Sequence, residues 1–340
     1  MTLKVSDIGE FELIDRIRRI IDGAGYKPGL LIHGIGDDAA VFTPEPGFEM
    51  VVTCDSMVEG RHYLKAHMTA IEVGRRAMVM NISDIGAMGG IPLYALVTLG
   101  LTSLETVHEI DEIYRGFIQE LEPFNASIIG GNITKTAGNT FIDITLIGKA
   151  NRGHIALRSG AKPGDAIMVT GYPGSSGAGY RLIVDGLAQS LADKTLMDAY
   201  LRPAHRAREG HELAVSGLIS SMMDVSDGLP GDLYHICETS SIGAELWEEM
   251  LPVSNALNET SAMYKISPVD FILAPSDDYE LLFTCVPQNI EKLERILAEF
   301  GCPVTHIGDI VPIAQGMTLI KKNGKRKPLN KKGWDHFTTV

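Results

Sequence analysis

The sequence predicts a two-domain α/β protein. Three observations carry that reading. At 340 residues the chain is long enough for about two domains of roughly 100–200 residues each. Apolar runs of strand length alternate with longer segments whose apolar residues recur every three or four positions. The pattern breaks at 151–165, around the turn-rich connector Arg158-Ser159-Gly160-Ala161-Lys162-Pro163-Gly164-Asp165, and the boundary falls near residue 152.

Taken in order, Phe11 to Asp22 reads as a helix because Phe11, Ile14, Ile17 and Ile21 keep helical spacing. A Gly/Pro loop follows, then short strands at Ala39 to Phe42 and Met50 to Cys54. Ile71 to Met88 has a strong helical pattern, Leu93 to Leu101 is a strand, and Leu104 to Leu121 is a charged amphipathic helix. Ser127 to Ile129 and Thr140 to Lys149 are strands. This order suits a sheet with helices on one face. The second unit opens with a strand at Ala166 to Thr170, a Gly-rich turn and a helix from about Ser176, and further alternating elements follow.

Composition narrows the function classes. Hydrophobic residues make up 45% and charged residues 21%, and either half can bury a core of its own. The net charge of −13 excludes a non-specific nucleic-acid binder, and the one dense basic run, Lys321 to Lys332, reads as a solvated tail strand. No run approaches the roughly 18 apolar residues of a membrane span, and Met1 to Glu10 lacks a signal-peptide core. Cys54, Cys237, Cys285 and Cys302 form no CxxC pair, so the expected setting is reducing and cytoplasmic.

Chemistry is signalled by acidic islands at the ends of apolar runs: Gly36-Asp37-Asp38, Thr53-Cys54-Asp55, Asn81-Ile82-Ser83-Asp84, Asp224-Val225-Ser226-Asp227 and Ser276-Asp277-Asp278-Tyr279-Glu280. Asp84 shares a helical stripe with Val73, Ala77, Met80 and Met88, and a carboxylate against a core is costly unless it meets a cation. Each island by itself reads equally as a helix cap or turn; Asp227, before the apolar face Leu229, Leu233 and Ile236, is such a case. Five islands together point to magnesium, which takes a few carboxylates plus waters and substrate phosphates, and so to metal-assisted phosphoryl transfer.

The common nucleotide and hydrolase signatures are missing. There is no GxxxxGK[ST], no kinase HRD or DFG, no GxSxG and no HExxH. Gly34-Ile35-Gly36-Asp37-Asp38-Ala39 matches GxGxxA, but a strand rather than a helix follows it. Gly171-Tyr172-Pro173-Gly174-Ser175-Ser176-Gly177 does lie between strand and helix, and is either a phosphate cradle or a structural turn.

The islands and their neighbours resemble the thiamine-monophosphate kinase family, within the wider aminoimidazole-ribonucleotide-synthetase-like superfamily. The resemblance runs in order from Gly9-Glu10-Phe11 through Gly36-Asp37-Asp38-Ala39-Ala40-Val41, Asp55 with Glu59-Gly60-Arg61-His62, and Asn81-Ile82-Ser83-Asp84. It continues through Gly130-Gly131, the 158–165 connector, Asp224-Val225-Ser226-Asp227-Gly228-Leu229 and Asp278-Tyr279-Glu280-Leu281 to Gly333-Trp334-Asp335-His336-Phe337.

It implies ATP-dependent phosphorylation of thiamine monophosphate to thiamine diphosphate, with several Mg²⁺ ions. It also implies a homodimer in which the sheet of residues 1–152, the ATP- and magnesium-binding domain, pairs across subunits into a barrel-like core. Residues 153–340 would form an α/β domain that completes the site. Carried over by position, Asp38, Thr53, Cys54, Asp55, Asp84, Asn132, Asp224 and Asp227 hold metal, with Asp38, Asp55, Asp84 and Asp224 central to catalysis. Gly131, Asn132, Arg158, Ser226 and Tyr114 meet ATP, and His62, Asp277 and Trp334 face the thiamine phosphate. Three positions depart from the family: Asn132 stands for Asp, Cys54 for Thr and Asp277 for Glu. A thiol does not suit hard Mg²⁺, so Cys54 is expected to serve through its carbonyl. The competing readings are another ATP-using enzyme of the superfamily, and a non-catalytic binder of nucleotide or thiamine phosphate.

Overall fold

The computed structural model describes residues 3–25, 30–35 and 39–329. The chain divides into two compact units: Met1–Ile85 with Gly90–Gly153, and Gly86–Gly89 with His154–Val340.

In the first unit α1 (Val5–Gly23) precedes a two-stranded ribbon of β1 (Leu31–His33) and β2 (Val41–Phe42). Then come β3 (Phe48–Val58), α2 (Ala70–Ala87), β4 (Ile91–Leu101), α3 (Val107–Leu121), β5 (Ser127–Lys135) and β6 (Phe141–Asn151). The last four strands form one sheet in the order β3-β6-β4-β5, so β3 and β5 are its edges. Only β4 and β5 run parallel; β3–β6 and β4–β6 are antiparallel. Along β6 the burial alternates strictly, with Ile142, Ile144 and Leu146 buried and Asp143, Thr145 and Ile147 half-exposed. One face is therefore core and the other open, the period-two signature of a sheet covered on one side. Buried residues of α2 (Met78, Val79, Ile82, Ile85) and α3 (Ile110, Phe117, Leu121) complete the core. α2 and α3 cross where Gly74 and Gly116 meet; a Cβ on Gly74 would lie 2.1 Å from the Ile113 carbonyl oxygen, and one on Gly116 2.3 Å from that of Ile71.

The second unit opens with β7 (Ala166–Thr170), α4 (Ser175–Val184), α5 (Leu191–Leu201), α6 (Ala207–Ser216), β8 (Ile219–Val225) and α7 (Leu229–Ser240). It continues with β9 (Ile242–Trp247), α8 (Asn255–Tyr264), α9 (Pro268–Ile272), β10 (Glu280–Cys285) and α10 (Ile290–Ala298). β11 (Val304–Pro312), β12 (Met317–Ile320) and β13 (Arg326–Pro328) close it. Its seven strands are ordered β13-β12-β9-β11-β7-β10-β8. Both faces are covered. Ile167 and Val169 share a core with Ala178, Leu182, Leu196, Leu233 and Ile236, while Ala166 and Met168 share another with Leu213, Phe283, Leu293 and Leu297. Burial on both sides explains why β7 and β10 read as unbroken apolar runs.

Several elements exceed the sequence expectation. β3 runs from Phe48 to Val58 rather than 50–54, and β5 reaches Lys135 rather than stopping at 129. The strand expected at 39–42 shrinks to Val41–Phe42. Of the basic stretch, residues 321–328 form the turn and second strand of the β12–β13 hairpin, with Lys321 on Glu248 and Arg326 on Glu245, and 330–332 lie outside the described residues. Among the described residues no helix is long and apolar enough to cross a membrane.

Candidate functional site

In the first unit the polar residues of β3 divide between the two faces of the sheet. Thr53, Asp55 and Met57 pair with Leu146, Ile144 and Ile142 and so lie on the helix-covered face. There the Thr53 hydroxyl donates to Asp84 Oδ2 at 2.5 Å. Asp84 is half-exposed, while Ile82 and Ile85 beside it are fully buried. The stripe Val73-Ala77-Met80-Asp84-Met88 thus begins in the core and ends at its margin, which lets a carboxylate sit there. Thr53, Asp55 and Asp84 supply oxygen donors from one face.

Cys54 and Asn132 lie on the opposite, open face. Cys54 pairs with Thr145, and its thiol reaches Asp143 Oδ1 at 3.4 Å; Ser56 also donates to Asp143. Ser56, Asp143, Thr98 and Asn132 form one cross-strand row. The side chains of Cys54 and Asn132 therefore do not join Thr53 and Asp84, although the carbonyl of Cys54 lies in the strand between Thr53 and Asp55. Gly131 is fixed by close approach: a Cβ there would lie 1.9 Å from the Val97 carbonyl oxygen.

His62 accepts a hydrogen bond from the Val58 amide on Nδ1 at 3.0 Å, so a neutral ring carries its proton on Nε2. Tyr114 is a core residue of α3, its ring edge-on to Phe117 at 5.2 Å, and burial raises its hydroxyl pKa further above the usual range.

In the second unit Asp224 is the next-to-last residue of the edge strand β8, and Ser226 and Asp227 follow in the turn before α7. The helix N-cap is Gly228, with no side-chain cap, so Asp227 does not cap α7. Instead Asp232, one turn inside α7, reaches back to accept the amides of Ser226 at 3.1 Å and Asp227 at 3.2 Å. Burial first, then the charges of Asp224 and Asp227, push the Asp232 carboxyl up to about 8. The side chains of Asp224, Asp227 and Asp232 offer only oxygen donors, the kind a hard divalent ion takes. Among the described residues no group of three or more His, Cys, Asp or Glu is arranged to hold a metal ion. The sequence reading missed Asp232. Its signal was an Asp in the first helical turn, two residues after Pro230, where a carboxylate favours the helix dipole.

Asp277 and Asp278 both meet the start of α4. Asp278 accepts the amides of Gly174 at 2.7 Å and Ser176 at 2.9 Å and the Ser276 hydroxyl at 2.6 Å, while Asp277 accepts the Ser176 hydroxyl at 2.7 Å. Burial raises Asp278 to about 6 despite these hydrogen bonds. The Gly174 and Ser176 amides of the Gly171–Gly177 turn are therefore occupied by a side chain of the same unit, which favours the structural reading of the turn. Behind it, Glu280 takes a bidentate contact from Arg206 at 2.7 and 2.8 Å and the Thr170 hydroxyl at 2.6 Å. Arg158 is exposed, in the connector before β7. Asp38 and Trp334, with the motifs at 36–38 and 333–337, lie outside the described residues.

The chain matches two family models, the N-terminal domain of AIR synthase related proteins over residues 36–150 and the C-terminal domain over 162–316. It is 34% identical over 307 residues to the thiamine-monophosphate kinase of Bacillus subtilis, covering 89% of this chain and 93% of that protein. Among solved structures it is similar to thiamine-monophosphate kinase from Stenotrophomonas maltophilia K279a, at 31% identity and TM-score 0.81, over 96% of this chain and 99% of that one. It is likewise similar to AaThiL complexed with AMPPCP and TMP, at 30% identity and TM-score 0.75, over 99% and 100% of the two chains. A whole-length likeness that spans both units and all five acidic islands places the chain in the thiamine-monophosphate kinase family of AIR synthase related proteins.

Proposed function

We propose that this protein transfers the terminal phosphoryl group of ATP to thiamine monophosphate, giving thiamine diphosphate and ADP. The whole-length likeness to thiamine-monophosphate kinases carries the proposal, together with a similar structure complexed with AMPPCP and TMP.

The chemistry suits the residues present. The acceptor is itself a phosphate, whose second ionisation lies near pH 6, so it is largely a dianion at neutral pH and needs no strong general base. The difficulty is charge: two anionic substrates meet a chain of net charge −13. Bound magnesium supplies the missing positive charge for the phosphates. In the first unit Asp38, Thr53, Asp55 and Asp84, with the Cys54 carbonyl, would hold it; in the second, Asp224 and Asp227. The Thr53 hydroxyl orients the Asp84 carboxylate, and Asp232 fixes the 226–227 backbone. Arg158, Gly131 and Ser226 would meet ATP, with forked guanidinium donors well matched to phosphate oxygens. Tyr114, the weaker candidate for ATP, is buried in α3 against Phe117. His62, Asp277 and Trp334 would face the thiamine, whose thiazolium cation suits a carboxylate and an aromatic ring.

Asn132 keeps a carbonyl lone pair where the family resemblance implies an Asp, and it also gains a donor. On the open sheet face it would take a metal weakly or meet a phosphate oxygen. A homodimer would cover that face, on which Val52 is 59% exposed, and would pair the edges β3 and β5. Sedimentation at micromolar concentration should show two chains; a monomer would remove the dimer from the proposal. The catalytic reading is tested by following thiamine diphosphate and ADP with ATP, magnesium and thiamine monophosphate. Binding without ADP would mark a sensor, and turnover of aminoimidazole precursors or selenide instead would mark a sibling enzyme.

A further inference from the structure

We infer that Glu105 is a positioning residue for the reaction: through Thr140, and with Asn139 beside it, it fixes the 59–63 loop and so the place of His62. The inference rests on the reading of thiamine monophosphate as substrate with His62 turned toward it, and adds what holds that histidine. All the residues concerned belong to the first unit.

The contacts run without a break from Glu105 to the loop. Glu105 lies between β4 and α3 and is 3% exposed. Its Oε1 accepts the Thr102 amide at 3.1 Å, the Thr102 hydroxyl at 2.9 Å and the Thr140 hydroxyl. Thr140, also buried, ends the turn between β5 and β6, and its carbonyl accepts the Glu59 amide at 2.9 Å. Next to it the exposed Asn139 donates from Nδ2 to the Glu59 carbonyl at 2.9 Å. The β5–β6 turn therefore grips both backbone groups of Glu59. From there the loop closes on itself. The Gly60 amide donates to the Tyr63 carbonyl at 2.9 Å and the His62 amide to the Val58 carbonyl at 2.9 Å, while the Val58 amide reaches His62 Nδ1 at 3.0 Å. The orientation of the imidazole thus follows the loop backbone, and the loop backbone follows Glu59.

The grip is charged rather than neutral. Burial pushes the Glu105 carboxyl up, but the hydrogen bonds from Thr140 and Thr102 outweigh it and hold it below the usual value. An ionised acceptor makes the shorter and stiffer hydrogen bond. Its second oxygen, Oε2, is buried without a hydrogen-bond partner among the described residues, which costs stability rather than adding to it. A carboxylate kept at that cost, and joined to the histidine loop by hydrogen bonds, suits a part that sets geometry.

The experiment uses the full-length protein and the variants Asn139→Ala, Thr140→Val, Thr140→Ser and Glu105→Gln, each also combined with His62→Ala. Circular dichroism verifies folding, and the exposed position of Asn139 keeps one variant free of core damage. KM is measured separately for thiamine monophosphate and ATP, and amide hydrogen exchange is followed across residues 58–63. Asn139→Ala, Thr140→Val and Glu105→Gln should raise the KM for thiamine monophosphate about 2- to 10-fold, the worth of one hydrogen bond, with the ATP KM unchanged and exchange in 58–63 faster. Thr140→Ser, which keeps the hydroxyl, should restore both. On the His62→Ala background the same changes should add nothing to the KM. Unaltered exchange in Asn139→Ala and Thr140→Val, an equal rise in both Michaelis constants, or a rise that persists in full without His62 overturns the inference. If His62→Ala raises the KM for thiamine monophosphate and the other variants do not, the inference falls and the reading of His62 stands. If His62→Ala leaves that KM unchanged, or the wild type forms no thiamine diphosphate, the underlying reading falls and the inference with it.

Discussion

Replacing Asp278 by Ala should destabilise the second unit by an amount that depends on pH. In the native structure one carboxylate holds two backbone amides, of Gly174 and Ser176, and the Ser276 hydroxyl. Removing it leaves three donors without their acceptor. Loss of a capping side chain costs about 0.5–2 kcal/mol, and each buried donor left unmatched about 1–3 kcal/mol. A loss of about 2–4 kcal/mol follows for a site that water can partly reach.

The charge adds a second effect. The Asp278 carboxyl is raised to about 6 in the fold, from 3.8 when unperturbed. Because the folded value is the higher one, the folded state keeps its proton while the unfolded state loses it. The wild type is therefore most favoured by this group below about pH 4, and that advantage fades as pH rises to about 6, by at most about 3 kcal/mol at 1.36 kcal/mol per pH unit. Asp278→Ala has no such slope. Urea unfolding at pH 4 and pH 7 should show a larger difference between wild type and variant at pH 4. A difference that is equal at both, or larger at pH 7, would refute the burial of this carboxylate; no difference at all would refute its role as the anchor of α4.

Three further outcomes follow from the geometry. Asp84→Asn should abolish thiamine diphosphate formation while costing about 1 kcal/mol or less in unfolding, because an amide oxygen still accepts the Thr53 hydroxyl; full activity with ordinary magnesium dependence would remove Asp84 from the metal set. Arg206→Met should cost about 3–5 kcal/mol by stranding the buried Glu280 carboxylate, and adding Glu280→Gln should recover part of it, as a double-mutant cycle would show. Gly131→Ala should lower Tm and raise the KM for ATP, since its methyl carbon meets the Val97 carbonyl and must push β5 from β4; a cost near zero would mean that the ladder yields there.

The long apolar runs were legible without a structure. β7 falls at Ala166–Thr170 as expected, because a strand buried on both faces leaves no polar interruption. β3 and β5 were shortened because their second halves are polar. Ser56 lies on the open face and reads as loop, while Gly130-Gly131-Asn132 reads as turn although Gly131 only permits close packing on Val97. The acidic islands were visible, but not the division of labour within them. Asp277 and Asp278 are neighbours in sequence, and only the path of α4 shows that one binds a hydroxyl while the other caps the helix. Asp232 was hidden in a helical pattern dominated by Leu229, Leu233 and Ile236, since a side chain that reaches backward to two amides leaves no periodic trace. Strand alternation sets the side chains of Cys54 and Asn132 on the opposite face from Asp84, a division that the resemblance does not convey, while the Cys54 carbonyl, the atom expected to serve, lies between Thr53 and Asp55.

The most direct measurement follows ³¹P resonances in a mixture of the full-length protein, ATP, magnesium and thiamine monophosphate. The account predicts the paired resonances of thiamine diphosphate appearing in step with ADP, dependent on magnesium and absent with Asp84→Asn. ATP hydrolysis to free phosphate without thiamine diphosphate, or formation of the product at an undiminished rate by Asp84→Asn, would contradict it.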